Sequence, residues 1–309
     1  MARILVTPRS LTRGGDPSLE ALKDAGHQLV FCAPGKMPEE QELRDLVPGC
    51  AGWLAGVEKI TEEVLARADC LKVISRNGTG VNSIDLAACA RRGIPVLRAE
   101  GANARGVAEL TIALVLSVLR SITFQDARMK GGAWERRLGT ELDGRTLGVI
   151  GMGRIGKLVT KFALGMDMRV LGYDTVPDVA YAPSPSFRYT TLDELLGSAD
   201  IVTLHCPHSR GEKPLMDGPA LARMKKGAAL INTARGALVD GSAVLAALND
   251  GRLSGYGVDA YEMEPPEQGP LLVHERVIAT PHIGAFTTES VSRATRAAVD
   301  NLLAALPRA

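Results

Sequence analysis

The chain has 309 residues, 46% of them hydrophobic and 23% charged, a balance that fits an ordinary globular protein and excludes a disordered or fibrous one. Thirty-six basic residues against thirty-five acidic ones leave a net charge near +1, so the chain lacks the positive field that non-specific nucleic-acid binding needs. The longest apolar stretch, 110–119, is about half of what a membrane-spanning helix requires and already contains Thr111 and Ser117. Neither nucleic acid nor a membrane is an expected partner.

The opening MARILVTPRS enters a strand-like run without the apolar core and cleavage site of a signal peptide, so the expected location is cytoplasmic. Cys32, Cys50, Cys70, Cys89 and Cys206 are odd in number and widely spaced. They form neither a C-x-x-C metal pair nor a disulfide framework, and are expected to be reduced core thiols. Aromatics make up only 4% of residues, which argues against stacking platforms for bases.

In chain order, RILVT, QLVFCA, AGWLAG, LKVIS and IPVLRA read as five parallel strands, alternating with the amphipathic stretches SLEALKDAG, EEQELRDL, TEEVLARAD and IDLAACARRG. One long helix is predicted from about 104 to 129, followed by the loop GGAWERRLGTELDGR. The alternation then restarts, with six strands expected at TLGVI, RVLGYD, ADIVTL, AALIN, SGYGVD and VIAT, and with YAPSPS (181–186) as a Pro-rich loop. A last helix is predicted over 287–306, packing back on the first domain. The expected fold is α/β: two doubly wound parallel-sheet domains, one flavodoxin-like and one Rossmann, about an interdomain cleft. The first would comprise 1–99 plus 286–309 and the second 100–285, with hinges near Glu100 and Gly284.

Gly151, Met152, Gly153, Arg154, Ile155 and Gly156 fit G-x-G-x-x-G between the strand TLGVI and a helical stretch. The first glycine permits the tight turn, the second admits a pyrophosphate and the third lets helix meet strand. Helix N-terminal N–H groups would face the anion. Asp174 closes the following strand, where a carboxylate accepts the adenosine ribose hydroxyls and repels a 2′-phosphate; NAD is therefore expected over NADP.

Three further motifs fall at the ends of successive strands: NTARGALVDG (232–241), VDAYEMEPP (258–266) and TPHIGA (280–285). Reduction of a 2-oxo acid needs a cation for the carboxylate and carbonyl, a proton donor near neutral pH, and a nicotinamide against the reacting carbon. Arg235 and His282 offer the first two. A free histidine titrates near 6.5, so a neighbouring carboxylate is the usual means of keeping it protonated and oriented, and Glu264 is the candidate.

Together with RNGTGVNSIDLAACARRGI and NARGVAEL, these segments resemble the NAD-dependent D-2-hydroxyacid dehydrogenases, nearest the 3-phosphoglycerate dehydrogenase branch without its regulatory domain. The resemblance implies that Arg235, Glu264 and His282 are catalytic. It implies a cofactor site of the fingerprint residues with Asp174, His205, Cys206, Pro207, Thr233, Ala234 and Asp259, the last beside the nicotinamide. It also implies a substrate-binding first domain whose Arg76, Asn77, Gly78, Thr79 and Gly80 grip the carboxylate with Arg235 and His282, and a homodimer through the nucleotide-binding domains. No metal is implied; His205 and His208 lack a third ligand. His27 and His274 read as surface or loop residues.

The chain departs from the family at Gly106, often Ser, and at Phe286, which would narrow the pocket or pack in the hinge. Arg9, Arg13, Arg76 and Arg105 suggest a substrate with a second anion, such as phosphohydroxypyruvate or a phosphonate analogue. A glyoxylate or hydroxypyruvate reductase is the alternative within the class. Outside it stands an NAD-sensing, corepressor-like interaction protein. Enzymes of this fold acting on formate are set apart by a glutamine where this chain has Glu264.

Overall fold

The computed structural model describes residues 1–13, 16–209 and 211–306; the end of the predicted 286–309 segment, from 307 on, lies outside them. The chain divides into two compact units, Met1–Asn103 with Thr288–Ala309, and Ala104–Thr287.

The first unit holds five strands, β1 (Arg3–Val6), β2 (Gln28–Phe31), β3 (Cys50–Ala55), β4 (Val73–Arg76) and β5 (Val96–Arg98), all parallel in the order β2-β1-β3-β4-β5. Alternate residues of a strand face opposite sides, so Leu5, Trp53 and Ile74 pack with Val64, Leu65 and Ala88 on one face. Ile4, Val6, Leu54 and Val73 take the other face, covered by Leu19 and Leu22 and by Ala298, Val299 and Leu302 of the helix Thr288–Ala305. Each fully buried aliphatic side chain contributes about 1.5–3 kcal/mol. Gly52 makes this fit possible, because a Cβ there would lie 2.8 Å from Leu306 Cδ1.

Two residues of this unit differ from expectation. His27 is buried, with neither ring nitrogen partnered among the described residues; it stands in the turn entering β2, where its N–H is bonded back to Leu22 O. Cys70 is exposed, and only Cys32, Cys50 and Cys89 are buried thiols. Burial pushes the Cys32 thiol up to about 11.

The second unit opens with two helices where one was predicted. Ala104–Leu119 and Ile122–Lys130 meet at a 65° bend, with Ser121 at φ 47°. The first helix buries Val107, Leu114, Val115 and Val118, whereas the second buries nothing, so the apolar stripe that would have kept the helix straight stops at the break. The carbonyls freed there are met by Thr140 N, on Leu119, and Gln125 Nε2, on Arg120. Among the described residues no single helix is long and apolar enough to cross a membrane.

The sheet of this unit has seven parallel strands rather than six: β6 (Thr146–Ile150), β7 (Arg169–Tyr173), β8 (Phe187–Tyr189), β9 (Ile201–Leu204), β10 (Ala228–Asn232), β11 (Leu253–Val258) and β12 (Val277–Ala279), ordered β12-β11-β10-β9-β6-β7-β8. The extra edge strand, β8, follows the Pro-rich loop and is only three residues long, too short for a period to show. It is held by Phe187, whose ring stands edge-on to Tyr181 and Tyr189. The winding reverses between β6 and β9, the place where such sheets bind ligands beyond their carboxyl ends.

Candidate active site

Beyond β6 the three fingerprint glycines have three distinct environments. Gly151 takes φ 95°, and a Cβ there would lie 2.5 Å from the His205 carbonyl carbon. A Cβ on Gly156 would lie 2.1 Å from Gly151 O, so the helix Arg154–Leu164 reaches the turn only because that position is bare. Gly153 has open space where its Cβ would be, directly before the first turn of that helix. The result is an uncrowded helix N-terminus, carrying Arg154 and Ile155, that suits a pyrophosphate.

Asp174 stands just beyond β7 and ties this turn together. Its Oδ2 accepts from Met152 N at 2.8 Å and its Oδ1 from Val176 N at 3.0 Å. After β9, His205 N donates to Ile150 O at 2.7 Å, and the ring Nε2 pairs with Thr203 Oγ1 at 3.0 Å. Burial lowers His205 to about 3, so the ring is neutral. Cys206 is half-buried beside it, not a core thiol, and Pro207 is exposed.

The second cluster lies beyond β10, β11 and β12. His282 Nδ1 is 2.7 Å from Glu264 Oε1 and 2.8 Å from Oε2. An ionised carboxylate only accepts, so Nδ1 carries the hydrogen and Nε2 points away from the pair. Both side chains are close to half exposed, at 47% and 41%, which leaves the ring accessible. His282 adopts φ 53°, a left-handed conformation that costs a non-glycine residue about 1–2 kcal/mol.

That conformation is held by Asp259, which is 2% exposed. Its Oδ1 accepts from Thr280 Oγ1 and Ile283 N, both at 2.7 Å, and its Oδ2 from Gly284 N at 2.8 Å. Tyr261 adds a second brace, donating from its hydroxyl to Thr280 O at 2.8 Å and from its N–H to Glu264 Oε1 at 3.2 Å.

Arg235 belongs to the loop after β10. Its Nη1 donates to Ala234 O at 2.6 Å, and among the described residues no carboxylate pairs with it. Asn232 shapes the loop, donating to Arg235 O at 2.8 Å and accepting from Ala234 N at 3.0 Å. Gly236 sets its position: a Cβ there would lie 2.1 Å from Glu262 N. The arginine loop therefore lies against the loop that carries Glu264. The neighbouring Thr233 hydroxyl is paired with Thr111 Oγ1 at 2.9 Å.

Residues 112–284 match the family described as D-isomer specific 2-hydroxyacid dehydrogenase, NAD binding domain. The chain belongs to this family. D-3-phosphoglycerate dehydrogenase of Methanocaldococcus jannaschii is 39% identical over 297 residues, 94% of this chain and 55% of that protein. A crystal structure of a protein from Thermus thermophilus is 38% identical with a TM-score of 0.87, covering 98% of this chain and 96% of that one. D-lactate dehydrogenase of Aquifex aeolicus, solved with NAD and lactic acid, is 30% identical with a TM-score of 0.80, covering 98% and 94%. The chain spans about half the length of the curated relatives it matches.

In this dehydrogenase-family chain the 76–80 loop lies in the first unit, at the end of β4. Asn77 N donates to Ala55 O and Gly78 N to Arg76 O, so of the four loop N–H groups only those of Thr79 and Gly80 find no acceptor among the described residues. Arg76 is buried at 8% exposure, with Nη1 bonded to Asn77 O. Of the other arginines singled out, Arg105 pairs with Glu109 at 2.7 Å and lies over the Phe162 ring, while Arg9 and Arg13 are exposed. Gly106 is buried in its helix and Phe286 is 79% exposed. Thr111, Gly236, Tyr261 and Thr280 escape sequence reading because each acts on backbone or on another side chain. Gly236, directly after Arg235, carries the one signal that points to close approach.

Proposed function

We propose that this chain interconverts a D-2-hydroxy acid and its 2-oxo acid with NAD, using Arg235, Glu264 and His282. One observation carries the reading: a histidine strained at φ 53° and paired by Nδ1 with Glu264, on a loop pinned by Asp259. Strain of this kind persists only where the surroundings over-determine it, and it clusters at working sites.

The bare glycine turn, the open N-terminus at Gly153 and the Asp174 carboxylate fit a dinucleotide. Residues 151–156, Asp174 and the 205–207 segment would hold NAD, whose nicotinamide supplies the hydride chemistry when bound. The chain's own groups handle charge and proton. Arg235, with no carboxylate partner among the described residues, binds the substrate carboxylate and polarises the carbonyl. His282 gives a proton from Nε2 to the carbonyl oxygen in reduction and takes it back in oxidation, while Glu264 fixes the ring and stabilises its charged form. The first unit is assigned to substrate binding, with Thr79 and Gly80 N–H groups for the carboxylate.

A cytoplasmic homodimer completes the proposal. The exposed Ile122 and Met129 of the helix Ile122–Lys130, with Trp134 at 80% exposure after it, support an uncovered face suited to a second copy. Consumption of NADH with a panel of 2-oxo acids tests the activity. Turnover that falls on H282A supports it, and turnover unchanged on H282A refutes the assignment of the proton donor.

A further inference from the structure

Tyr261 belongs to the loop that carries Glu264, and it touches both of the loops that carry Arg235 and His282. It stands three positions after β11, partly buried and packed against the core of the second unit. Its main chain makes two of the contacts. The Tyr261 N–H donates to Glu264 Oε1 at 3.2 Å, and Gly236, next to Arg235, lies so close that a Cβ there would stand 2.2 Å from the Tyr261 carbonyl carbon. The side chain makes the third: the hydroxyl donates to Thr280 O at 2.8 Å, two residues before His282.

That carbonyl has a second partner, the N–H of His282 itself, at 2.9 Å. A bond from residue i+2 back to residue i closes a γ-turn, here about Pro281, and the turn leads into the left-handed conformation of His282 at φ 53°. A carbonyl oxygen has two lone pairs and accepts both hydrogens. The phenol and the histidine N–H therefore share one atom, and the orientation of the Thr280–Pro281 peptide depends on a group outside the turn. Asp259 takes the Thr280 hydroxyl and the N–H groups of Ile283 and Gly284. The carbonyl ahead of the histidine is left to Tyr261. Burial, with the Asp259 and Glu264 carboxylates nearby, pushes the phenol up to about 12, so it remains a donor at any ordinary pH.

We propose that Tyr261 is a positioning residue for the proton transfer: its hydroxyl, through Thr280 O, sets the placement of His282 against Glu264. This rests on the reading of the chain as a 2-oxo acid reductase and deepens it, by assigning a share of kcat to a phenol whose hydrogen is bound to backbone. A small misplacement of a reacting group is enough to slow a step whose geometry is otherwise intact.

The test is Y261F, assayed with NADH and hydroxypyruvate or another 2-oxo acid that the unaltered protein reduces. The variant keeps the ring and both main-chain contacts, and Thr280 O keeps its bond from His282, so it should fold with NADH Kd within about twofold of the parent's. Its kcat should fall about tenfold with KM little changed, the pattern of an interaction that matters only as the proton moves. Added to E264A, the same change should cost about twofold or less, because the pairing that Tyr261 sets is already broken there. Parental kcat in folded Y261F overturns the inference and leaves the dehydrogenase reading intact. A full tenfold loss on top of E264A also overturns it, since the hydroxyl then acts without regard to the pair. So does a Y261F that fails to fold or binds NADH poorly, because the hydroxyl then serves the fold. No turnover of any 2-oxo acid by the unaltered protein overturns the dehydrogenase reading and this inference with it.

Discussion

Asp259 fixes His282 from both sides, through the Thr280 hydroxyl before it and the Ile283 and Gly284 N–H groups after it. The carboxylate accepts from Thr280 Oγ1, Ile283 N and Gly284 N, all at 2.7–2.8 Å, so the residues before and after the histidine are held while its ring stays exposed to pair with Glu264. Asp259 thereby acts as a positioning residue for the histidine.

Replacing Asp259 by Asn should set an amide N–H against a loop N–H. The expected cost is about 1–3 kcal/mol of stability, with kcat lowered further as His282 leaves its left-handed conformation. Denaturant unfolding and steady-state kinetics on one preparation check both. Parental kcat in a destabilised D259N would show that the loop holds the histidine without the carboxylate.

Arg235→Ala should lower kcat/KM by about 3 kcal/mol, the scale of losing a transition-state donor, and leave NADH affinity nearly unchanged. Arg235→Lys should recover little, because a point charge lacks the planar fork. Fluorescence titration with NADH beside the kinetic assay separates binding from chemistry.

Two glycines three residues apart should fail differently. Gly156→Ala places a Cβ 2.1 Å from Gly151 O and should lower Tm, since backbone on both sides resists the overlap. Gly153→Ala meets nothing within 4 Å, so Tm should hold while NADH Kd rises about tenfold, the methyl group taking pyrophosphate space. Thermal melts with and without NADH distinguish them.

His205 links stability to acid pH. Burial lowers its folded-state pKa to about 3 from 6.5, so below pH 6.5 the unfolded chain gains a proton that the folded chain refuses. Stability should therefore fall as pH drops from about 6.5 towards 3, with no contribution from this group above 6.5. His205→Gln, which keeps a polar partner for Thr203, should flatten that decline in unfolding midpoints between pH 7 and pH 4.5.

Most of the architecture is legible in the sequence, because parallel strands covered on both faces are written as short apolar runs, as in RILV, TLGVI and AALIN. The exceptions have physical causes. β8 depends on Phe187 meeting Tyr181 and Tyr189, a contact that no local pattern shows. The bend at Ser121 depends on Thr140, nineteen positions along the chain, taking a carbonyl from the helix end. At the site, the glycine turn and the Arg, Glu and His positions carry residue types that chemistry singles out. What holds them does not: Thr111 on Thr233, Tyr261 on Thr280, and Gly236 against Glu262 are contacts between distant segments.

Chiral chromatography of the product formed from NADH and hydroxypyruvate or pyruvate decides whether this chain makes a D-2-hydroxy acid with His282 as its proton donor. One 2-hydroxy acid enantiomer, the D form, is expected in amounts equal to the NADH consumed, with the yield abolished in H282A. An L product, a racemate, or undiminished D product from H282A would contradict it.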